Sequence, residues 1–116
     1  MNNYEISGNI LIINENKIQF GERVEKVIQF NDKFIVLLLN KPFSQEQPED
    51  NFYAVDKNGK ILWRIQDCKK IYSYNHEKVY VNIGIYENKL FATLYIGIVY
   101  YLNPEDGNIV GKSYAK

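Results

Sequence analysis

One pattern recurs along this chain and restricts its fold more than any other feature. Phe30-Asn31-Asp32-Lys33-Phe34 aligns with Tyr86-Glu87-Asn88-Lys89-Leu90. Phe52-Tyr53-Ala54-Val55-Asp56 aligns with Val99-Tyr100-Tyr101-Leu102-Asn103, and Gly59-Lys60-Ile61-Leu62 with Gly107-Asn108-Ile109-Val110. Each copy reads as four short strands joined by turns, a repeated supersecondary unit. The copies differ chiefly before the third strand. The first carries the long segment Asn40–Asp50 there, and the second turns tightly at Gly97.

The clearest part of the unit is Asn51–Ile65. Phe52–Val55 is an apolar, aromatic run of strand composition. It stops at Asp56-Lys57-Asn58-Gly59. There a carboxylate can accept backbone N–H bonds, and glycine can take the positive φ that closes the turn. Ile61–Ile65 returns as a strand, with Ile61, Trp63 and Ile65 expected on one face and Leu62 and Arg64 on the other. Tyr53, Ala54, Asp56, Gly59 and Trp63 stand where the blade repeat of quinoprotein-type β-propellers has its Tyr-Ala strand, Asp, Gly and Trp. The stretch resembles that repeat. The likeness implies a blade-like meander. It does not imply the quinone, because this length cannot close the cavity that holds it. Propellers need about 4–8 blades.

At 116 residues the chain has the size of a single domain, and 46% hydrophobic content is enough for a core. Lys plus Arg and Asp plus Glu are both 14, so the formal charge is zero. That removes the electrostatic case for nucleic acid or an anionic membrane surface. The only arginines are Arg23 and Arg64. Cys68 is the single cysteine, so no internal disulfide can form. No signal-peptide pattern or membrane-length apolar run is present, and a cytoplasmic location is expected.

The remaining sequence alternates strands and turns. Residues 4–7, Ile10–Ile13, Lys17–Phe20, Val24–Phe30 and Lys33–Leu39 read as strands before the long loop. Val79–Tyr86, Lys89–Tyr95, Ile98–Leu102 and Asn108–Tyr114 follow the central hairpin. A further short strand at Ile71–Tyr74 would fall inside the connector Gln66–Lys78. Phe34–Leu39 has no polar face and belongs in the middle of the fold. The expected architecture is all-β: two blade-like four-stranded units plus an N-terminal hairpin, over residues 1–116. Three arrangements suit such meanders: a small sandwich, a ring assembled from several chains, or a generic meander with no deeper repeat. The sandwich is favoured, because a free-standing chain must bury its own sheets.

Candidate chemistry is sparse. Cys68 and His76 share a connector with Asp67 and Glu77, which would suit a nucleophilic dyad or a metal site. Their spacing matches no ligand motif, and a polar connector with an incidental thiol is the simpler reading. Asp56-Lys57-Asn58-Gly59 starts like a calcium loop, but Lys60 and Ile61 stand where a ligand and the turn glycine are required. No catalytic, metal or cofactor residues are therefore assigned.

Tyrosine is the compositional outlier. There are ten, and eight follow Gly59. Tyrosine combines contact area with a polar tip and is enriched at protein interfaces. Tyr100 and Tyr101 are adjacent, so they point to opposite faces, and Tyr114 lies on the next strand. These three, with Phe43 in the Asn40–Asp50 loop, are the candidate binding residues. The leading functional reading is a non-catalytic protein-binding module, of the kind bacterial accessory or immunity proteins supply. It would contact a partner protein, or a second copy, mainly through Ile98–Tyr114 and secondarily through Asn40–Asp50. The alternatives are a small-ligand or glycan binder and, last, an enzyme using Cys68 and His76.

Overall fold

A computed structural model of the chain describes residues 4–39, 48–72 and 77–114. Eleven strands form three antiparallel sheets, and no α-helix occurs among the described residues. The first sheet is β1 (Tyr4–Ser7), β2 (Ile10–Ile13) and β3 (Asn16–Gln19). The second is β4 (Val24–Phe30), β5 (Lys33–Leu38), β6 (Phe52–Asp56) and β7 (Ile61–Arg64). The third is β8 (Tyr80–Tyr86), β9 (Lys89–Leu94), β10 (Ile98–Leu102) and β11 (Ile109–Tyr114). Each is a simple up-and-down meander in sequence order. The chain is thus the expected all-β protein of four-stranded meanders, and β1 adds a third strand to the N-terminal hairpin.

Local chemistry sets the turns. Asn14 and Glu15 both have positive φ, as do Glu87 and Asn88, so these two-residue turns match the right-handed twist of their strands. Asp56 Oδ1 accepts the N–H groups of Asn58 and Lys60 at 2.9 Å each, and Gly59 closes the turn at φ 84°. The corresponding turn in the third sheet uses Asn103 Oδ1, which accepts the Glu105 N–H at 3.0 Å, and Gly107 at φ 75°.

The sequence repeat extends to irregularities that no residue pattern announced. In the second sheet the pairing slips between Val24 and Lys26 and again opposite Ala54/Val55. In the third it slips between Tyr80 and Asn82 and opposite Tyr101/Leu102. Both sheets therefore carry bulges at matching places on their first and fourth strands. One bulge corrects the expected face pattern of β7. Trp63 pairs with Ala54 while Ile61 pairs with Val55, so the extra residue Leu62 moves Ile61 to the opposite face from Trp63. Ile61 is accordingly exposed.

The sheets stack as three layers with the second in the middle. Leu11, Ile13 and Ile18 of the first sheet meet Phe34, Val36 and Val55 of the second. The other face of the second sheet presents Ile35, Phe52, Ala54 and Trp63 to Ile83, Leu90, Ala92 and Tyr100 of the third. Every residue of β5 is buried, as its two-sided apolar run required. The layers also lock through their turns. A Cβ on Gly59 would come within 2.9 Å of Asn16 and 3.5 Å of Ile18, and one on Gly107 within 2.4 Å of the Trp63 ring. In both places a glycine turn of one sheet rests on the last strand of the sheet before it.

Candidate functional site

β11 ends the third sheet. It pairs with β10 on one side, and no strand among the described residues pairs with it on the other. β1 pairs with β2 in a different sheet, so the N-terminal strand does not close this edge. Val110 and Tyr114 are the most exposed large hydrophobic residues described, at 68% and 66%. Their exposure follows from position, because an edge strand has neighbours on one side only. Gly111 and Lys112 interrupt the apolar content, which discourages indiscriminate pairing.

The start of the edge is closed locally. Gln66, just after β7, donates its N–H to Gly107 O at 3.1 Å and accepts the Ile109 N–H at its Oε1 at 2.8 Å. From there the chain makes a 3-10 turn at Cys68–Lys70, capped by Asp67 Oδ1, which accepts the Lys69 N–H at 3.0 Å. Ile71 and Tyr72 follow without forming the expected strand, and the rest of that proposed strand lies outside the described residues. The Tyr72 ring stacks on Tyr100 with centroids 5.6 Å apart. Lys112 Nζ sits 4.7 Å from the centre of the Tyr72 ring and 5.7 Å from that of Tyr114. The run from Gln66 to Tyr72 therefore lies beside β11, tied to it near both ends.

The candidate tyrosines separate according to strand parity. Tyr114 is exposed at the edge. Tyr101 is half-buried on the outer face of the third sheet, its hydroxyl 3.2 Å from Ser113 Oγ and its ring 5.9 Å from Lys89 Nζ. Tyr100 does not belong to a contact surface. It is fully buried, because its side of β10 faces the second sheet, and it packs edge-on against Tyr80 with centroids 6.4 Å apart. Phe43 and His76 lie outside the described residues, as does the Asn40–Asp50 loop up to residue 47.

The end of that loop is clasped to the connector. Asp50 donates its N–H to Lys78 O at 2.7 Å, and Glu49 Oε2 accepts the Lys78 N–H at 2.7 Å. Lys78 Nζ lies 3.0 Å from Asp50 Oδ2 and 3.3 Å from Asp67 Oδ1. Burial pushes the Asp50 carboxyl above its ordinary range despite the lysine. Burial acts on Asp67 in the same direction, but the Lys69 N–H and the Lys78 ammonium outweigh it and hold that carboxyl below the usual range.

Cys68 is not an incidental thiol in a polar connector. Its 3-10 turn drops the side chain into the main core, where it is fully buried beside Tyr80 and Tyr100. Burial raises the thiol pKa, with the Tyr100 hydroxyl offsetting part of the effect. This environment disfavours the reactive thiolate. Native protein should resist iodoacetamide and become labelled only in denaturant. Rapid labelling of the folded protein would place the thiol outside the core.

Two other surfaces offer less. On the outer face of the third sheet, the Phe91 ring lies so close over Gly84 that a Cβ there would be 2.4 Å from it. That face is partly covered by its own side chains. A shallow depression of about 460 Å³ is lined by Tyr4, Glu5, Ile12, Asn14 and Glu15. Its one aromatic ring is engaged, since Tyr4 packs edge-on against Phe34 at 5.7 Å. No group of three or more metal-ligating residues occurs among the described residues, and no helix there is long and apolar enough to cross a membrane.

Residues 1–114 match the family model described as a domain of unknown function, DUF7957. The chain belongs to the DUF7957 family. No curated protein matches the sequence. The fold of this DUF7957 chain is similar to that of the computationally designed Ika8 protein, known from a crystal structure, with a TM-score of 0.57 and 8% sequence identity. The similarity covers 97% of this chain and 36% of the designed one, so the present chain spans about a third of that protein's length.

Proposed function

We propose that this domain is a non-catalytic protein-binding module whose contact surface is the β10–β11 hairpin, with β11 as the edge that receives a partner strand. A role as an accessory or immunity-type protein in the bacterial cytoplasm fits that reading. The observation that carries it is the edge itself: a last strand that no other strand among the described residues pairs with on one side, bordered there by the connector at Gln66 and Tyr72, and with Val110 and Tyr114 exposed on it. Main-chain hydrogen bonds along such an edge supply affinity, and flanking side chains supply selectivity. The buried, proton-retaining Cys68 supports a role outside catalysis. The matching bulges of the second and third sheets support the internal repeat, and no quinone chemistry is attached to it.

Amide hydrogen exchange tests this reading. The Ile109 amide should be protected in the isolated protein, because Gln66 accepts its bond. Among residues 110–114, the amides that are not bonded to β10 should gain protection only with a partner, or at raised concentration if the partner is a second copy. Full protection of those amides in the dilute monomer would mean that the edge is already closed and the contact surface lies elsewhere.

A further inference from the structure

The three sheets stack in the same sense, which makes their strands comparable. Gly59 rests on β3 as Gly107 rests on Trp63 of β7. β3 therefore answers to β7, β2 to β6 and β1 to β5. The correspondence stops there. β5 has β4 on its far side, and β9, its equivalent in the third sheet, has β8. No strand among the described residues pairs with β1 on the side away from β2. Burial follows: every residue of β5 is buried, and every residue of β1 is exposed.

The open side of β1 has two chemically different faces. Tyr4 and Ile6 pair with Ile13 and Leu11, so they point toward the second sheet. There the Tyr4 ring packs on Phe34 and its hydroxyl donates to Val27 O at 3.4 Å. Tyr4 and Ile6 nevertheless remain 39% and 43% exposed, so the apolar interface between the first two sheets runs on uncovered past β2. Glu5 points the other way, beside the depression that it lines with Glu15. Neither carboxylate takes part in an ion pair among the described residues. Ser7 and Ile10 flank a two-residue turn and bond each other, so Tyr4 and Ile6 turn their N–H and C=O groups to the open side.

We infer that β1 is a second strand-receiving edge, and that it takes an extended segment of another protein with apolar residues on one face and basic residues on the other. The repeat shows what belongs at this place. β4, which lies in the equivalent position beside β5, turns Ile28 and Phe30 into the core shared with the next sheet. A strand added to β1 would lay its apolar residues over Tyr4 and Ile6 in the same way. Its alternate residues would stand next to Glu5, where opposite charge favours pairing. A second copy is the poorer occupant. Two β1 strands joined through Tyr4 and Ile6 of both chains would set Glu5 against Glu5, and like charges oppose pairing. This surface is separate from β11, which ends the third sheet.

The test uses the full chain and capped synthetic peptides of alternating valine and lysine, with valine–glutamate peptides as the matched control. Exchange of the Tyr4 and Ile6 amides and a binding titration are read together. The lysine peptide should protect these amides and bind at least about tenfold more tightly than the glutamate peptide, with the preference shrinking as salt screens it. Glu5→Lys combined with Glu15→Lys should reverse the preference without altering the fold, since both side chains are exposed. Ile6→Pro removes an N–H that points away from β2 and should abolish binding while the far-UV spectrum stays β-dominated. Equal or tighter binding of the glutamate peptide to the wild-type chain would overturn the inference. Protection confined to β11 would also overturn it and leave only the edge proposed above. Tyr4 and Ile6 amides already protected in the dilute protein would mean that β1 is closed, and protection that rises with protein concentration alone would assign it to a second copy. Either result overturns the inference.

Discussion

Replacing Trp63 with alanine is expected to destabilise the domain by about 3–5 kcal/mol, the usual cost of emptying a large aromatic site. Small domains are stable by only about 5–15 kcal/mol, so the variant should be close to unfolding at ambient temperature. The expectation follows from what the ring touches. Trp63 is 8% exposed and stacks on Phe52 with centroids 6.1 Å apart and planes 11° from parallel. Its Nε1 donates to Pro104 O at 2.8 Å, and the ring fills the space against Gly107. One side chain of the second sheet thus holds the turn of the third in place. Chemical denaturation should show the loss as a lower midpoint, and the wild-type protein should emit at blue-shifted wavelengths. A double-mutant cycle adds a sharper check. Gly107→Ala puts a methyl group 2.4 Å from the ring, and that part of its cost should vanish once Trp63 is alanine. Additive losses would mean that the two positions do not meet.

Asn51→Ala is expected to lose at least about 3 kcal/mol, since three buried backbone groups would be left unsatisfied at roughly 1–3 kcal/mol each. Asn51 is among the few buried polar residues. Its Nδ2 donates to Leu38 O and to Tyr80 O, both at 2.9 Å, and its Oδ1 accepts the Tyr80 N–H at 2.8 Å. Leu38 ends β5 and Tyr80 starts β8, so a single amide joins the second sheet to the third. Asparagine suits this position because one side chain must donate twice and accept once. Asn51→Asp should also fail to rescue the fold, because a carboxylate would face two carbonyl oxygens. Denaturant midpoints measure the loss, and exchange of the Tyr80 amide should accelerate. A change below about 1 kcal/mol would mean that water replaces the side chain at those groups.

The binding residues divide in the same way as these two sites. Nothing in the neighbourhood of Asn51 in the sequence marks it as special. It sits between Asp50 and Phe52 at the end of a polar loop, and its partners are 13 and 29 residues away. Trp63 was legible because a lone tryptophan between isoleucines in a strand is a core candidate on composition alone. Tyr114 was legible as a terminal-strand residue. The burial of Tyr100 and Cys68 is not written in the sequence, since each depends on what lies above the strand or turn that carries it.

The sequence by itself determined the strands and most of their ends. Alternation of apolar residues sets a strand, and Asp56 with Gly59, or Asn103 with Gly107, sets a turn, because these are contacts within a few residues. It also determined the repeat, and with it the antiparallel order within each meander. Tertiary structure alone decided which face of each strand became interior. Parity states that Tyr100 and Tyr101 oppose each other, but only the position of the second sheet makes Tyr100 the buried one. It decided the bulges, which moved Ile61 across its sheet, because a slip in register is a property of two strands and not of either alone. It decided that the Cys68 side chain turns inward and joins the core shared by the second and third sheets. Local interactions act along the chain and are written in it, whereas burial depends on neighbours that the chain meets only after it has folded.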